Sequence, residues 1–182
     1  MTAGGPEPAG PDPAGPGGDA ALPGQDLARE IVGLLTGRAQ TLAVAESLTG
    51  GLVTAALTSV PGSSAVLRGG IVAYATGLKA QLLGVPQHLL AEHGPVHPDV
   101  AQAMAGGARS RLAATFGLAT TGVAGPGPAD GQPAGTVFVA ASGPGLREVR
   151  GLRLEGGRSA VRAASVVAVL SLLVSALRED MN

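Results

Sequence analysis

The chain has 182 residues, a net charge of -1, 45% hydrophobic and 2% aromatic residues, and no cysteine. That length suits one domain. The weak charge and the scarcity of aromatic platforms argue against a general nucleic-acid binder, and without cysteine there are no disulfides or thiolate metal sites.

Residues 1–24 are mostly Gly, Pro and Ala, with Glu7, Asp12 and Asp19 as their only charges. Such a segment buries too little apolar surface to offset its ordering entropy, so a disordered tail is expected ahead of a domain over 25–182. From Asp26 the apolar residues Leu27, Ile31, Leu34 and Leu35 recur at helical spacing up to Gly37. Residues 41–45 read as a buried strand, and a helix from about Thr49 to Val60 should end at Pro61-Gly62. A second strand is expected over 70–74, with Tyr74 at its end. Short helices follow over 78–83 and 86–93, then a long one over 98–115, with Pro98 in its first turn. Residues 117–121 read as a third strand, and the run from Gly122 to Pro128 as a loop. Strands over 135–141 and 147–154 flank a Ser142-Gly143-Pro144-Gly145 turn and should be antiparallel. A final helix over 158–178 closes the chain.

Helices between the early strands, followed by a hairpin, predict an α/β fold: three layers, α/β/α, around a mixed sheet of roughly five strands. The start of the chain lacks the pattern of a secretory signal. The longest apolar run, 163–177, is short for a membrane span and contains Ser165, Ser171 and Ser175. It reads as a buried helix, so no membrane association is expected and the cytoplasm is the expected compartment.

Lys79 is the only lysine among eleven arginines, and it follows the only tyrosine, Tyr74, by five residues. Arginine holds its proton too tightly to serve as a base, whereas a desolvated lysine can lose one near neutral pH. The natural client is Ser47, where an apolar strand breaks off and a helix starts. Unpaired amides at such a junction bind anions, and Thr49, Gly50 and Gly51 would let a substrate approach the backbone. Serine is also a common helix cap. It is the combination with Lys79 and Tyr74 that favours an activated nucleophile.

Six blocks carry a resemblance: Ala45-Glu46-Ser47-Leu48-Thr49-Gly50-Gly51, Pro61-Gly62-Ser63-Ser64, Arg68-Gly69-Gly70-Ile71-Val72-Ala73-Tyr74, Leu82-Leu83-Gly84-Val85-Pro86, Thr121-Gly122-Val123-Ala124-Gly125-Pro126-Gly127 and Gly135-Thr136-Val137-Phe138. In order and spacing they resemble the C-terminal domain family of the competence/damage-inducible protein CinA, over residues 26–178. Characterised members are nicotinamide-nucleotide amidohydrolases. The resemblance therefore implies deamidation of nicotinamide mononucleotide to nicotinate mononucleotide and ammonia, with a serine, tyrosine and lysine matching Ser47, Tyr74 and Lys79 as the catalytic group. Neither a metal nor a cofactor is called for. Similar proteins form dimers, so a homodimer is expected. Two-domain members carry an N-terminal domain without a counterpart in this sequence, and its pyrophosphatase activity is not expected.

Arg158 and Arg162 share one face at the start of the last helix, where two cations are easiest to understand if they meet an anion. Arginines of this stretch resemble substrate-binding ones in the family, and Thr121 and Gly122 match a block near its active site. His93 and His97 are four apart, but Gly94 and Pro95 interrupt any helix between them, so a metal pair is not expected. Glu46 reads as structural, bonding to nearby backbone. The sequence departs from many members at His97, where a serine would cap the long helix, and around Gln132, where a lysine is common. Two other readings use the same residues: a non-catalytic nucleotide-binding or interaction module linked to competence or DNA damage, and an oxidoreductase like the short-chain dehydrogenases. The latter has its lysine four residues after the tyrosine, rather than five, and a glycine-rich loop that is missing after the first strand here.

Overall fold

The computed structural model describes residues 21–179; the tail read over 1–24 lies outside them except for its last four residues. In chain order the elements are α1 (Gln25–Gly37), β1 (Leu42–Glu46), α2 (Leu52–Thr58), β2 (Leu67–Val72), α3 (Thr76–Leu83), α4 (Gln87–His93), α5 (Pro98–Arg111), β3 (Phe116–Gly122), β4 (Thr136–Gly143), β5 (Leu146–Arg153) and α6 (Arg158–Glu179). A single 3-10 turn, Ser63–Ala65, leads into β2.

Five strands form one sheet in the order β2-β1-β3-β4-β5. β1 pairs in parallel with β2 and β3, while β4 runs antiparallel to β3 and β5. This is the expected mixed α/β sheet between two helical layers. Alternation along the strands assigns the faces: Leu42, Val44, Leu118, Val137 and Val139 pack with α1, α2 and α6. Ala43, Ala45, Ala119 and Ala140 pack with α3, α4 and α5. Alanines on the second face let α5 come close. A Cβ added at Gly117 would stand 2.0 Å from the Ala105 carbonyl, so only glycine fits that contact.

Several boundaries differ from the sequence reading, each for a local reason. α2 begins at Leu52 because Gly50 and Gly51 hold φ of 58° and 98°, a left-handed turn that a helix cannot include. α5 stops at Arg111, short of 115, and Ala113 follows at φ 48°. β2 starts at Leu67 and ends at Val72, which leaves Tyr74 beyond the strand. The hairpin turn narrows to Pro144-Gly145, since Gly143 already pairs with Leu146.

By length and hydropathy α6 could cross a membrane, the only such helix among the described residues. It instead buries nine residues, from Val161 to Leu177, against α1, α2 and the sheet. The parallel pairing of β1, β2 and β3 brings their C-terminal ends to one rim, where open α/β sheets bind ligands.

Candidate active site

Ser47 follows the last residue of β1 and is almost fully buried. Its backbone N–H donates to the Thr120 carbonyl on β3 at 3.0 Å, continuing the sheet one step past the strand. The turn that follows is tied down from three sides. Glu46, with no exposed surface, accepts from the amides of Gly51 at 2.8 Å, Val53 at 3.2 Å and Thr54 at 2.9 Å, and from Thr54 Oγ1 at 2.7 Å. A carboxylate at a helix start meets the orphan donors and the positive dipole end together. Thr49 Oγ1 and Thr120 Oγ1 share a hydrogen bond of 2.7 Å. From α6, Arg162 donates to the carbonyls of Leu48 and Thr49 at 3.0 and 2.8 Å.

Lys79 sits on α3 with 1% of its surface exposed, a long cationic side chain taken out of water. Its Nζ lies 3.1 Å from Ser47 Oγ, 2.9 Å from the Ala73 carbonyl and 3.3 Å from the Tyr74 carbonyl. Burial pushes its pKa from the ordinary 10.5 down to about 8, against the Asp130 carboxylate, whose charge favours the ammonium. As an ammonium, Lys79 donates to all three oxygens. A neutral amine has two N–H groups and one lone pair. With the two carbonyls taking the donors, the lone pair is left to accept from the Ser47 hydroxyl.

These groups open into a cavity of about 240 Å³ lined by Ser47, Leu48, Tyr74, Lys79, Thr121, Gly122, Asp130 and Arg158, among others. The cavity is the crevice at the C-terminal rim of β1, β2 and β3. Tyr74 is 59% exposed at its mouth, and its hydroxyl accepts from Arg158 at 3.0 Å. Arg158 also donates to the Gly125 carbonyl at 3.1 Å. Thr121 is buried and donates from Oγ1 to the Pro95 carbonyl at 2.7 Å, fixing one wall.

Of the residues singled out from sequence, Ser47, Tyr74, Lys79, Thr121, Gly122 and Arg158 thus converge on one cavity. Thr49, Gly50, Gly51 and Arg162 do not line it. The Gly51 amide is spent on Glu46 and the Gly50 amide on the Ser47 carbonyl at 3.1 Å, so the glycines shape the turn instead of presenting free donors. Arg162 is a brace for the same turn. Tyr74 meets Lys79 through its backbone carbonyl, while its hydroxyl bonds Arg158. Asp130 was not legible as a site residue: it belongs to no recognisable block and sits in a Gly/Pro-rich loop.

His93 and His97 lie on either side of the break at Gly94 and Pro95, yet the chain returns so that their rings stack, with centroids 4.1 Å apart and an interplanar angle of 10°. Asp99 completes a group whose ligand atoms lie within 4.8 Å of one another. Stacked, near-parallel rings hold their nitrogen lone pairs in separate planes, an arrangement that does not converge on one ion. His97 Nδ1 instead accepts from the Asp99 amide at 3.3 Å, so histidine supplies the cap of α5.

Fold and site together define a three-layer α/β/α protein in which a buried lysine amine meets a serine hydroxyl at the ends of parallel strands. Residues 24–177 match the model of the CinA C-terminal domain, and the chain belongs to that family. A CinA-like protein of Frankia casuarinae is 54% identical over 143 residues, covering 79% of this chain and 33% of that protein. One from Gloeobacter violaceus is 48% identical over 150 residues, covering 81% and 35%. The chain therefore spans about a third of the length of these curated relatives. Among solved structures, the competence/damage-inducible protein of Agrobacterium tumefaciens superposes with a TM-score of 0.80 at 38% identity, covering 85% of this chain and 94% of that one. A CinA superfamily protein of Enterobacter cloacae gives 0.82 at 29% identity, covering 87% and 95%. Family membership and a sheet with two antiparallel strands leave the short-chain dehydrogenase comparison without support.

Proposed function

We propose that this chain is an amidohydrolase that converts nicotinamide mononucleotide to nicotinate mononucleotide and ammonia, with Ser47 as nucleophile and Lys79 as base. The observation that carries the reading is the 3.1 Å contact between Ser47 Oγ and a buried amine whose other two partners are carbonyls. A serine that only capped a helix would have no use for a desolvated lysine at that distance. The cost of burying Lys79 has a purpose if the amine must be neutral to work.

In the proposed course, Nζ accepts the Ser47 proton as Oγ attacks the carboxamide carbon. The carbonyl oxygen becomes an oxyanion, for which the amide of Leu48, which lines the cavity, is our candidate, since those of Gly50 and Gly51 are engaged elsewhere. Each well-placed donor of this kind is worth about 3 kcal/mol. Collapse breaks the C–N bond, the Lys79 ammonium returns a proton to the leaving nitrogen, and ammonia departs from a Ser47 ester. Water then enters, gives its proton to Lys79 and attacks the ester carbon. Release of the carboxylate restores the Ser47 hydroxyl. Arg158, exposed at the cavity mouth, is the residue we assign to the substrate phosphate, with Tyr74 positioned by it. Thr121 and Gly122 form the wall against which the ring would lie.

A cavity of about 240 Å³ is small beside the roughly 300–1,000 Å³ of typical ligand pockets, which favours a mononucleotide over a polymer. Cytoplasmic location and a homodimer are part of the same proposal. Ammonia release from nicotinamide mononucleotide, compared with free nicotinamide, tests the reading. Turnover of the nucleotide with little of the free base is expected, and no ammonia from either would remove it in favour of a binding module.

A further inference from the structure

Four ionisable side chains line the cavity: Tyr74, Lys79, Asp130 and Arg158. In the proposed reaction Lys79 moves the proton and Arg158, bonded to the Tyr74 hydroxyl, takes the phosphate, whereas Asp130 has no task. Glu46, the carboxylate nearest in sequence to the nucleophile, is spent on the start of α2, so Asp130 is the sole acid facing the substrate space. It makes no ion pair within 4 Å among the described residues, yet its field reaches Lys79.

Its backbone explains part of this choice. Asp130 and Gly131 hold φ of 52° and 71°, at the tip of a two-residue turn closed by reciprocal bonds between Ala129 and Gln132 of 3.0 and 2.9 Å. Asparagine and aspartate both tolerate that left-handed conformation, and glycine is easier still. The turn therefore accounts for a short polar residue but not for a negative charge. A negative charge there also has a drawback, since it holds Lys79 in the protonated form that cannot act as a base. Some return must offset that effect. The same loop is tied through the Gly125 carbonyl to Arg158, so one cavity presents a fixed cation and a carboxylate on connected supports.

Resting on the deamidase reading above, we propose that Asp130 is a specificity-determining residue that selects amides carried on a cationic ring. Its carboxylate attracts the positively charged pyridinium of the substrate while Arg158 takes the phosphate. A ligand bearing both charges satisfies both residues. An amide on an uncharged ring leaves Asp130 without a partner.

The test is Asp130→Asn, which keeps the turn conformation and removes the charge. Two ligands are compared: nicotinamide mononucleotide, and its dihydro form, which has the same phosphate, ribose and carboxamide on a neutral ring and is read as a competitive inhibitor. The KM for the cationic ring should rise about five-fold, the scale of one partly exposed charge pair, with the inhibition constant of the neutral ring unchanged. The acid limb of kcat/KM should move to lower pH, because the carboxylate charge that favours the Lys79 ammonium is then gone. Because any inactive fraction affects both ligands alike, the ratio of the two constants is unaffected by partial misfolding. Asp130→Glu should recover part of the selectivity. Equal changes for both ligands, or none for either, would overturn the inference. If the wild type releases no ammonia, calorimetry with the same two ligands separates the two readings. Binding that prefers the cationic ring and loses that preference in Asp130→Asn supports Asp130 and rejects the deamidase; no preference, or no binding, rejects both.

Discussion

The Lys79 amine and the Ser47 hydroxyl, 32 residues apart in sequence, meet at 3.1 Å because β1 and α3 deliver them to the same rim of the sheet. The carbonyls of Ala73 and Tyr74, at 2.9 and 3.3 Å, take the two N–H groups that a neutral amine has to give. What is left is a lone pair aimed at an O–H. The proposed chemistry depends on this division of partners, and the consequences can be measured.

The first concerns pH. With Lys79 at about 8, roughly a tenth of the amine is neutral at pH 7 and about half at pH 8. The ratio kcat/KM should rise with pH along an acid limb centred near 8 and then level. A flat profile between pH 6.5 and 9 would mean that Lys79 is not the base.

Stability should carry the same signature with a definite sign. The folded pKa of about 8 lies below the ordinary 10.5, so between these values the unfolded chain binds more protons than the folded one. Folding stability therefore gains as pH rises from 8 to 10.5, by on the order of 3 kcal/mol in full. Lys79→Met lacks this gain. Urea unfolding of both proteins at pH 7.5 and 10.5 measures it as a difference, and parallel behaviour of the two would refute the burial argument.

Glu46 makes the turn after Ser47 a stability problem as well as a catalytic one. Glu46→Ala leaves three backbone amides without their acceptor and should cost about 3 kcal/mol or more, with kcat falling because the nucleophile loses its frame. Glu46→Gln keeps one acceptor oxygen and should fall between. Denaturant midpoints and ammonia release on the same samples check both effects.

The two arginines of α6 should separate cleanly. Arg158 faces the cavity, so Arg158→Ala should raise KM for the phosphorylated substrate about ten-fold with a smaller effect on kcat, a loss of about 1.4 kcal/mol in binding. Arg162 braces the Leu48 and Thr49 carbonyls, so Arg162→Ala should lower kcat and the unfolding midpoint together. Exchange of these two patterns would reverse their assignments.

Much of this arrangement was legible in the residues. A sole lysine among arginines marked Lys79, and short apolar runs, apolar residues at helical spacing and Gly/Pro punctuation gave the order of elements and the antiparallel hairpin. Boundaries failed where glycine geometry decided them, as at Gly50 and Gly51, whose positive φ delays α2 to Leu52. The allocation of amides was also hidden. Local sequence marks the junction after β1 as a donor site, but only tertiary structure shows that Glu46 has already taken the Gly51 amide and that Arg162 turns inward to the loop. Helical spacing failed to foresee the stacking of His93 on His97, because a broken helix can still fold back on itself.

The most direct measurement is ammonia release from nicotinamide mononucleotide by wild type and by Lys79→Arg at pH 8. Arginine preserves the positive charge and much of the length but cannot give up its proton. A fall of about a thousand-fold is expected, within the range of a lost general base. Activity within a few-fold of wild type would contradict proton removal by Lys79 and, with it, the reading of Ser47 as an activated nucleophile.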